Sequence, residues 1–272
     1  MFKRAVSRAT LLLALLPMVA MAAFKPGAPT VLITGANHGL GLELAKQYAD
    51  LGWNVMATSH RPPGDERLKD LEAVAKAHAN VVVEQLDVTD TAMIKALAAR
   101  YKDQPIDVLL NNAANVEPTF AADMAETSKT WDKVDFDAAR RDFDVNTLGP
   151  MRVVQAFGAN VIASKTKRIV AISSTAGSFT TPLPGGVALN YGASKAGLNK
   201  YFALLAVQMQ KQGVLVGLFQ PVFVATKDDI QGMKGASPVT VEVAKLIKVI
   251  DQMSPATSGK IVNFSTGKVD AF

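Results

Sequence analysis

Thr30-Val31-Leu32-Ile33-Thr34-Gly35-Ala36-Asn37-His38-Gly39-Leu40-Gly41 is the stretch that decides the fold of this 272-residue chain. It joins an apolar run, typical of a buried strand, to a helix-like stretch from Leu42 to Asp50. Its glycines allow a tight turn and a close approach of the backbone to a ligand. Because a dinucleotide's pyrophosphate binds at such a helix N-terminus, the stretch predicts a cofactor site. Taken alone, the spacing also fits an ordinary strand-to-helix turn.

Strand-like and helix-like stretches then alternate down to residue 272. Most strand-like stretches are apolar without alternation, which is typical of a parallel sheet covered on both faces. We therefore predict an α/β fold with one doubly wound parallel sheet of about seven strands and helices on both faces. The predicted strands are Thr30–Ile33, Asn54–Ser59, Val81–Asp87, Val108–Asn111, Arg168–Ser173, Val214–Gln220 and Lys260–Phe264. The predicted helices are Leu42–Leu51, Arg67–Ala77, Thr91–Tyr101, Phe136–Lys165, Tyr191–Gln212 and Thr240–Met253.

Composition limits the function classes. With 49% hydrophobic and 19% charged residues, the chain can bury one large core, so one domain is expected. Three positive charges of the net +5 lie near the N-terminus, on Lys3, Arg4 and Arg8, so the remaining chain carries +2. This balance does not predict a nucleic-acid partner. Three scattered histidines and no cysteine predict no metal site.

Residues 1–22 are predicted to be a signal peptide. Basic residues up to Arg8 precede an apolar stretch from Leu11 to Ala20 and a small-residue cleavage pattern ending at Ala22. Cleavage there predicts an exported or periplasmic protein with a linker at 23–29, a domain at 30–272 and no stable membrane span. Two alternatives remain: an uncleaved anchor, or translation from Met18 or Met21 that leaves a cytoplasmic protein.

A tyrosine and a lysine, Tyr191 and Lys195, are four residues apart and so share one face of a predicted helix. A phenol with a pKa near ~10 needs help to move protons at neutral pH, and a nearby ammonium favours the phenolate. Reduction of a carbonyl requires such a proton donor at the oxygen. Ser173, Ser174 and Ser178 lie at or after the end of the fifth predicted strand.

These motifs together resemble the classical short-chain dehydrogenase/reductase family, and within it the sniffer and C-factor-like carbonyl reductases. The resemblance covers about residues 29–272 and implies a single NAD(P)-binding domain with a Rossmann-type sheet. The matching residues are Thr34, Gly35, Gly39 and Gly41 for TGxxxGxG, Asp87 near the adenine, 111–114 for NNAG, and the tetrad Asn146, Ser174, Tyr191 and Lys195.

The family's Ile-Ser-Ser pattern at the strand end implies Ser174, whereas relatives with the shortest loop would select Ser178. The resemblance implies a role for each tetrad residue. Tyr191 acts as acid and base, Ser174 binds the carbonyl oxygen, Lys195 binds the ribose hydroxyls, and Asn146 holds a relay water. The implied cofactor-binding residues are Thr34, Gly35, Asn37, His38, Gly39, Leu40, Gly41, Ser59, His60, Arg61, Asp87, Val88, Asn112, Ala113, Tyr191, Lys195, Pro221, Val224 and Thr226.

Cofactor preference is predicted at the end of the second strand, where NAD-binding relatives carry an acidic residue. Here that position is Ser59, followed by His60 and Arg61, and His38 lies in the glycine loop. Without a carboxylate to repel a 2′-phosphate, the chain favours NADP(H), while NAD(H) is possible. The alternative for Arg61 is a solvated loop charge.

One departure lies after the sixth predicted strand, where Val222 replaces the glycine that the family has after proline. A β-branched residue there could alter the nicotinamide end, with Thr226 as the expected carboxamide partner. Residues 227–238 are predicted to be either a lid over the substrate or a surface loop.

The leading hypothesis is an NADP(H)-dependent oxidoreductase that interconverts a carbonyl and an alcohol on a small or medium apolar substrate. The alternative is an exported binding or cell-surface signalling protein of the same fold with little turnover. The resemblance also implies a homodimer or homotetramer.

Overall fold

The computed structural model describes residues 24–115, 131–180, 188–221, 224–226 and 235–270. The predicted signal peptide at 1–22 therefore lies outside the described residues. The helices are α1 Gly39–Asp50, α2 Lys69–Ala77, α3 Thr91–Arg100, α4 Phe136–Phe143, α5 Gly149–Ile162, α6 Leu189–Met209 and α7 Val239–Asp251. The strands are β1 Thr30–Ile33, β2 Asn54–Ser59, β3 Val81–Gln85, β4 Val108–Asn111, β5 Arg168–Ile172, β6 Leu215–Gln220, β7 Val224–Ala225, β8 Ser237–Pro238, β9 Ile261–Asn263 and β10 Lys268–Asp270.

An eight-stranded sheet forms the centre of the described fold, in the order β3-β2-β1-β4-β5-β6-β9-β10. Seven of its strands are parallel, and β10 pairs antiparallel with β9. The seven predicted strands and the doubly wound α/β class are confirmed. The sequence prediction missed β10, because its exposed Lys-Val-Asp segment lacks the apolar run of a buried strand, and the two-residue pair β7–β8.

Two hydrophobic layers cover the sheet. On one face α1, α2 and α7 pack against Val31 and Ile33, while Leu32 between them faces the layer formed with α3, α5 and α6. Successive side chains of a strand point to opposite faces, so a strand that is buried on both faces is apolar at every position. This explains why the central strands lack polar alternation.

Two helices differ from the sequence prediction at functional positions. α1 begins at Gly39, three residues before the predicted start. The predicted single helix from Phe136 to Lys165 is two α-helices joined by a π-helical turn at Asp144–Leu148. Such turns insert a residue into the helix and often mark functional sites. This one contains Asn146.

No helix among the described residues is long and apolar enough to span a bilayer.

The strand order reverses between β1 and β4, which are neighbours although two further strands separate them along the chain. In doubly wound sheets, ligands bind in the crevice outside the carboxyl ends of the strands at such a point.

Candidate active site

The glycine loop connects β1 to α1 in a conformation that requires its glycines. Gly35 and Gly39 have φ of +68° and +55°, a region that side chains disfavour. A Cβ on Gly35 would lie 2.8 Å from Ala113 Cα, and one on Gly41 would collide with the Gly35 carbonyl oxygen. The N-cap residue of α1, His38, makes no side-chain capping hydrogen bond to the first turn. The loop therefore brings a helix N-terminus and its backbone N–H groups close to the crevice.

Thr34 and Asn112 fasten the end of β1 to the end of β4. The Thr34 hydroxyl oxygen accepts hydrogen bonds from the backbone N–H groups of Asn112 (3.1 Å) and Ala113 (3.0 Å). The Asn112 amide donates to the carbonyl oxygens of Thr34 (3.0 Å) and Gly35 (2.9 Å). Since Thr34 is buried, its side chain supports the loop from behind.

A cavity of about 610 Å³ opens at this end of the sheet. The predicted site residues that line it are Gly35, Asn37, His38, Gly39, Leu40, His60, Asp87, Val88, Asn112, Ala113, Ser174, Tyr191, Lys195, Pro221 and Thr226. The predicted residues that do not line it are Thr34, Gly41, Ser59, Arg61, Asn146 and Val224. The structure thus joins the glycine loop and three tetrad residues in one cavity.

Ser174, Tyr191 and Lys195 form a compact group in this cavity. Ser174 follows β5, and its side chain is hydrogen-bonded to the Tyr191 phenol. Tyr191 and Lys195 are one turn apart on α6, with the Lys195 Nζ 5.6 Å from the centre of the tyrosine ring. That Nζ is buried and donates to the Ile172 carbonyl oxygen at 2.9 Å. Ser178 bonds Thr180 (3.1 Å) and does not line the cavity, so the geometry favours Ser174.

Comparison with known proteins places this arrangement in a family. Residues 29–233 match the family model described as short chain dehydrogenase. The chain belongs to the short-chain dehydrogenase family. NADPH-bound carbonyl reductase from chicken fatty liver is 31% identical, with a TM-score of 0.79 over 90% of this chain and 99% of that one. Carbonyl reductase Sniffer of D. melanogaster is 25% identical, with a TM-score of 0.77 over 90% and 100%. The C-signal protein of Myxococcus xanthus is 28% identical over 65% of this chain and 99% of its own length.

Burial dominates the electrostatics of this short-chain dehydrogenase site. It raises the pKa of Tyr191 to about 12, an effect that the Ser174 hydrogen bond opposes and the charge of Asp142 reinforces. Because burial outweighs the other influences, the phenol stays protonated at neutral pH, and the expected stabilisation of the phenolate by Lys195 stays a prediction. Burial also lowers the pKa of Lys195 to about 8, although Asp142 opposes this shift. The ammonium consequently remains the main form at neutral pH.

Asn146 is buried behind the cavity, and its amide bonds protein groups. Its Oδ1 accepts from the Asn115 backbone N–H (2.7 Å), and its Nδ2 donates to the Asn115 carbonyl oxygen (2.8 Å) and to Ser194 Oγ (3.0 Å). Because both Nδ2 hydrogens are used, a relay water could only donate to an oxygen of Asn146. The water itself stays a prediction.

The end of β2 holds the residues expected to distinguish the two nicotinamide cofactors. Ser59 is buried, and its Oγ accepts the Arg61 backbone N–H at 3.2 Å. Burial and the nearby charge of Arg61 lower the pKa of His60, so this imidazole is neutral at neutral pH. Arg61 is half-buried, and its Nε has no hydrogen-bond partner among the described residues. A guanidinium with an unused buried donor fits an anionic ligand group.

Asp87 adjoins the cavity after β3. Its Oδ1 accepts from the Thr89 backbone N–H (2.8 Å) and hydroxyl (2.7 Å), which turns the chain toward α3. After β6, Pro221 and Thr226 line the cavity, while Val224 is buried in β7. Val222 lies outside the described residues, as do 181–187 and 227–234 of the predicted loops.

Sequence reasoning missed Asn115 and Asp142. Asn115 lines the cavity, and Asp142 is fully buried at the end of α4, where its Oδ1 accepts from Asn115 Nδ2 at 2.7 Å. The spacing in the sequence could have indicated Asp142, because it lies four residues before Asn146 and so on the same face of the predicted helix.

Proposed function

We propose that this short-chain dehydrogenase interconverts a carbonyl and an alcohol on a small or medium apolar substrate, using NADP(H). The observation that carries the proposal is the single cavity lined by both the glycine loop and the group Ser174, Tyr191 and Lys195. A loop that would accept a pyrophosphate and a partly buried proton donor are the two parts that such a reaction requires.

The glycine loop and the residues around it would hold the cofactor. The uncapped N-terminus of α1 offers backbone N–H groups to the pyrophosphate, and Asp87 lies where the adenine half would bind. Lys195 would hold the ribose of the nicotinamide. When bound, the cofactor supplies or accepts the hydride at the carbonyl carbon.

The proton chemistry falls to the residues of this chain. The Ser174 hydroxyl would donate a hydrogen bond to the carbonyl oxygen, and Tyr191 would donate its proton to that same oxygen. Because the pKa of Tyr191 is about 12, its phenol is protonated at neutral pH and can donate this proton. As the phenolate forms, the buried Lys195 ammonium stabilises it across the low-dielectric site.

Three features support the preference for NADP(H). Ser59 places no carboxylate at the end of β2, and Arg61 has a buried Nε without a partner among the described residues. Because His60 is neutral at neutral pH, Arg61 is the group that would supply positive charge to the 2′-phosphate. The chicken carbonyl reductase named above, a relative of similar fold, binds NADPH.

The test is turnover of NADPH by purified protein on a panel of aldehydes, ketones and quinones, with NADH in parallel. The proposal predicts substrate-dependent oxidation of NADPH that exceeds that of NADH. Absence of turnover on every compound, in a protein that is folded by circular dichroism, would favour the second candidate. That candidate is an exported binding or signalling protein, which the similarity to C-signal favours.

We also propose export of the chain and assembly into a homodimer or homotetramer. The leader-like pattern ending at Ala22 motivates the first proposal. The mass of the mature protein from its native host tests it, since cleavage predicts a chain that begins at Ala23. Light scattering of that protein gives the oligomeric state, and a monomer would contradict the second proposal.

A further inference from the structure

A buried carboxylate that the proposed reaction does not use lies next to the catalytic group. Asp142 is fully buried in the last turn of α4. Its Oδ1 accepts from Asn115 Nδ2 at 2.7 Å, whereas its buried Oδ2 has no hydrogen-bond partner among the described residues. Removing a carboxylate from water costs free energy unless both of its oxygens find partners. A buried carboxylate with one unpaired oxygen is therefore a candidate for a functional role.

Hydrogen bonds connect Asp142 to the backbone of the catalytic tyrosine. Asp142 holds the side chain of Asn115, whose backbone N–H and carbonyl group are both bound by the Asn146 amide. The same amide donates to Ser194 Oγ, and that hydroxyl donates to the Tyr191 carbonyl oxygen at 2.7 Å. A change at Asp142 can therefore reach both the π-helical turn and α6.

Charges from two helices face Asp142. Burial raises its pKa, while the Asn115 hydrogen bond and the positive charges of Arg141, on α4, and Lys195, on α6, lower it. In return, the carboxylate raises the pKa of Tyr191 and that of Lys195. The carboxylate thus acts electrostatically on both the phenol and the ammonium.

We propose that Asp142 is a positioning residue of this active site: its carboxylate holds Asn115, and through it Asn146 and α6, while its negative charge balances the Lys195 ammonium. This inference rests on the proposed function, because it assigns Asp142 a part in the same proton transfer. It adds to that function an acidic residue outside the predicted tetrad.

The first experiment is the pH profile of carbonyl reduction for Asp142→Asn, which keeps an acceptor for Asn115 and removes the charge. Loss of the charge lowers the pKa of both Tyr191 and Lys195, so the alkaline limb of kcat moves to lower pH by about one unit. The KM for NADPH changes little. The matched control is Asp137→Asn, since Asp137 is an exposed residue of the same helix paired with Arg140. An alkaline limb at the wild-type position in Asp142→Asn would overturn the charge role.

A second variant, Asn115→Ala, keeps the carboxylate and breaks the hydrogen-bonded connection. We expect kcat to fall about tenfold, as for loss of a hydrogen bond to a charged group, with the folded state retained by circular dichroism. Wild-type kcat in Asn115→Ala would overturn the positioning role.

Melting of the cofactor-free protein against pH separates this inference from the proposed function. A carboxyl whose folded-state pKa is raised stabilises the fold at low pH, and that stability is lost as pH rises through the folded-state pKa. Asp142→Asn should therefore gain in Tm over wild type as pH rises from about 4. This gain without any turnover by wild type would refute the proposed function alone. A pH-independent Tm difference together with an unmoved alkaline limb would refute the role of Asp142 alone.

Discussion

The two ends of the cavity are built differently. At the end proposed to bind the cofactor, the glycine loop presents backbone groups, and its shape follows from positive φ values and from space that a Cβ would fill. At the proposed catalytic end, buried and partly buried side chains are held by hydrogen bonds that run from α4 through Asn115 and the π-helical turn to α6. The first end depends on local sterics and the second on a network of residues distant in sequence. Substitutions should therefore affect the two ends in separable ways.

Tyr191→Phe is expected to give the largest difference between the loss of turnover and the change in cofactor binding. This change removes the proton donor and leaves the glycine loop intact, so kcat should fall by about 10²- to 10⁴-fold while the NADPH dissociation constant stays near wild type. Steady-state kinetics and a binding titration on the same preparation check both parts. Turnover close to wild type would show that another group donates the proton.

Gly41→Ala should affect the cofactor end first. Its Cβ would collide with the Gly35 carbonyl oxygen, and overpacking of this kind costs about 1–3 kcal/mol in stability. We expect a lower Tm and tenfold or greater weakening of NADPH binding. The matched control is Gly158→Ala in α5, where nothing lies within 4 Å of the added Cβ. This control should leave binding unchanged and raise stability slightly, because alanine favours the helix. Equal effects of the two changes would contradict the steric account of the loop.

Arg61→Ala tests whether this end of the cavity distinguishes NADPH from NADH. Loss of one partly exposed charge should weaken NADPH binding by about fivefold and leave NADH binding nearly unchanged. Lys69→Ala, which removes an exposed charge from the first turn of α2, serves as the control for general electrostatics. Equal weakening of both cofactors in Arg61→Ala would refute the contact with the 2′-phosphate.

The buried Lys195 also makes the stability of the fold depend on pH. Its folded-state pKa of about 8 lies below the ordinary value, so the unfolded chain binds more protons between about pH 8 and 10. In that window, the unfolding free energy of wild type should rise with pH relative to Lys195→Met. Denaturant unfolding at several pH values measures it, and a flat difference would show that Lys195 is not desolvated as described.

The local sequence pattern predicts the central strands and the glycine loop. Burial on both faces requires apolar residues at consecutive positions, and the tight turn requires glycines close together. Asn54–Ser59 and Val108–Asn111 have the predicted bounds, and the cavity lies where the loop indicated. The predicted start of α1, Leu42, lies three residues after the observed start at Gly39. Glycine has a low helix propensity, so the sequence pattern does not predict a helix that begins with one.

The catalytic end was only partly predictable, since its geometry depends on contacts between distant segments. The π-helical turn around Asn146 has no periodic signature, and the pairing of Asn115 with Asp142 joins positions 27 apart in sequence. Likewise, the raised pKa of Tyr191 could not be predicted from sequence, because the extent of its burial is a tertiary property. The roles of the tetrad and the cofactor residues stay predictions that the variants above test.

The most direct test of the central claim is a fluorescence titration of protein beginning at Ala23 with NADPH and, separately, NADH. The account predicts saturable binding of NADPH and clearly weaker binding of NADH, because the glycine loop accepts the pyrophosphate and Arg61 the 2′-phosphate. Failure of the folded protein to bind either cofactor would contradict it and would make the binding or signalling function the one to pursue.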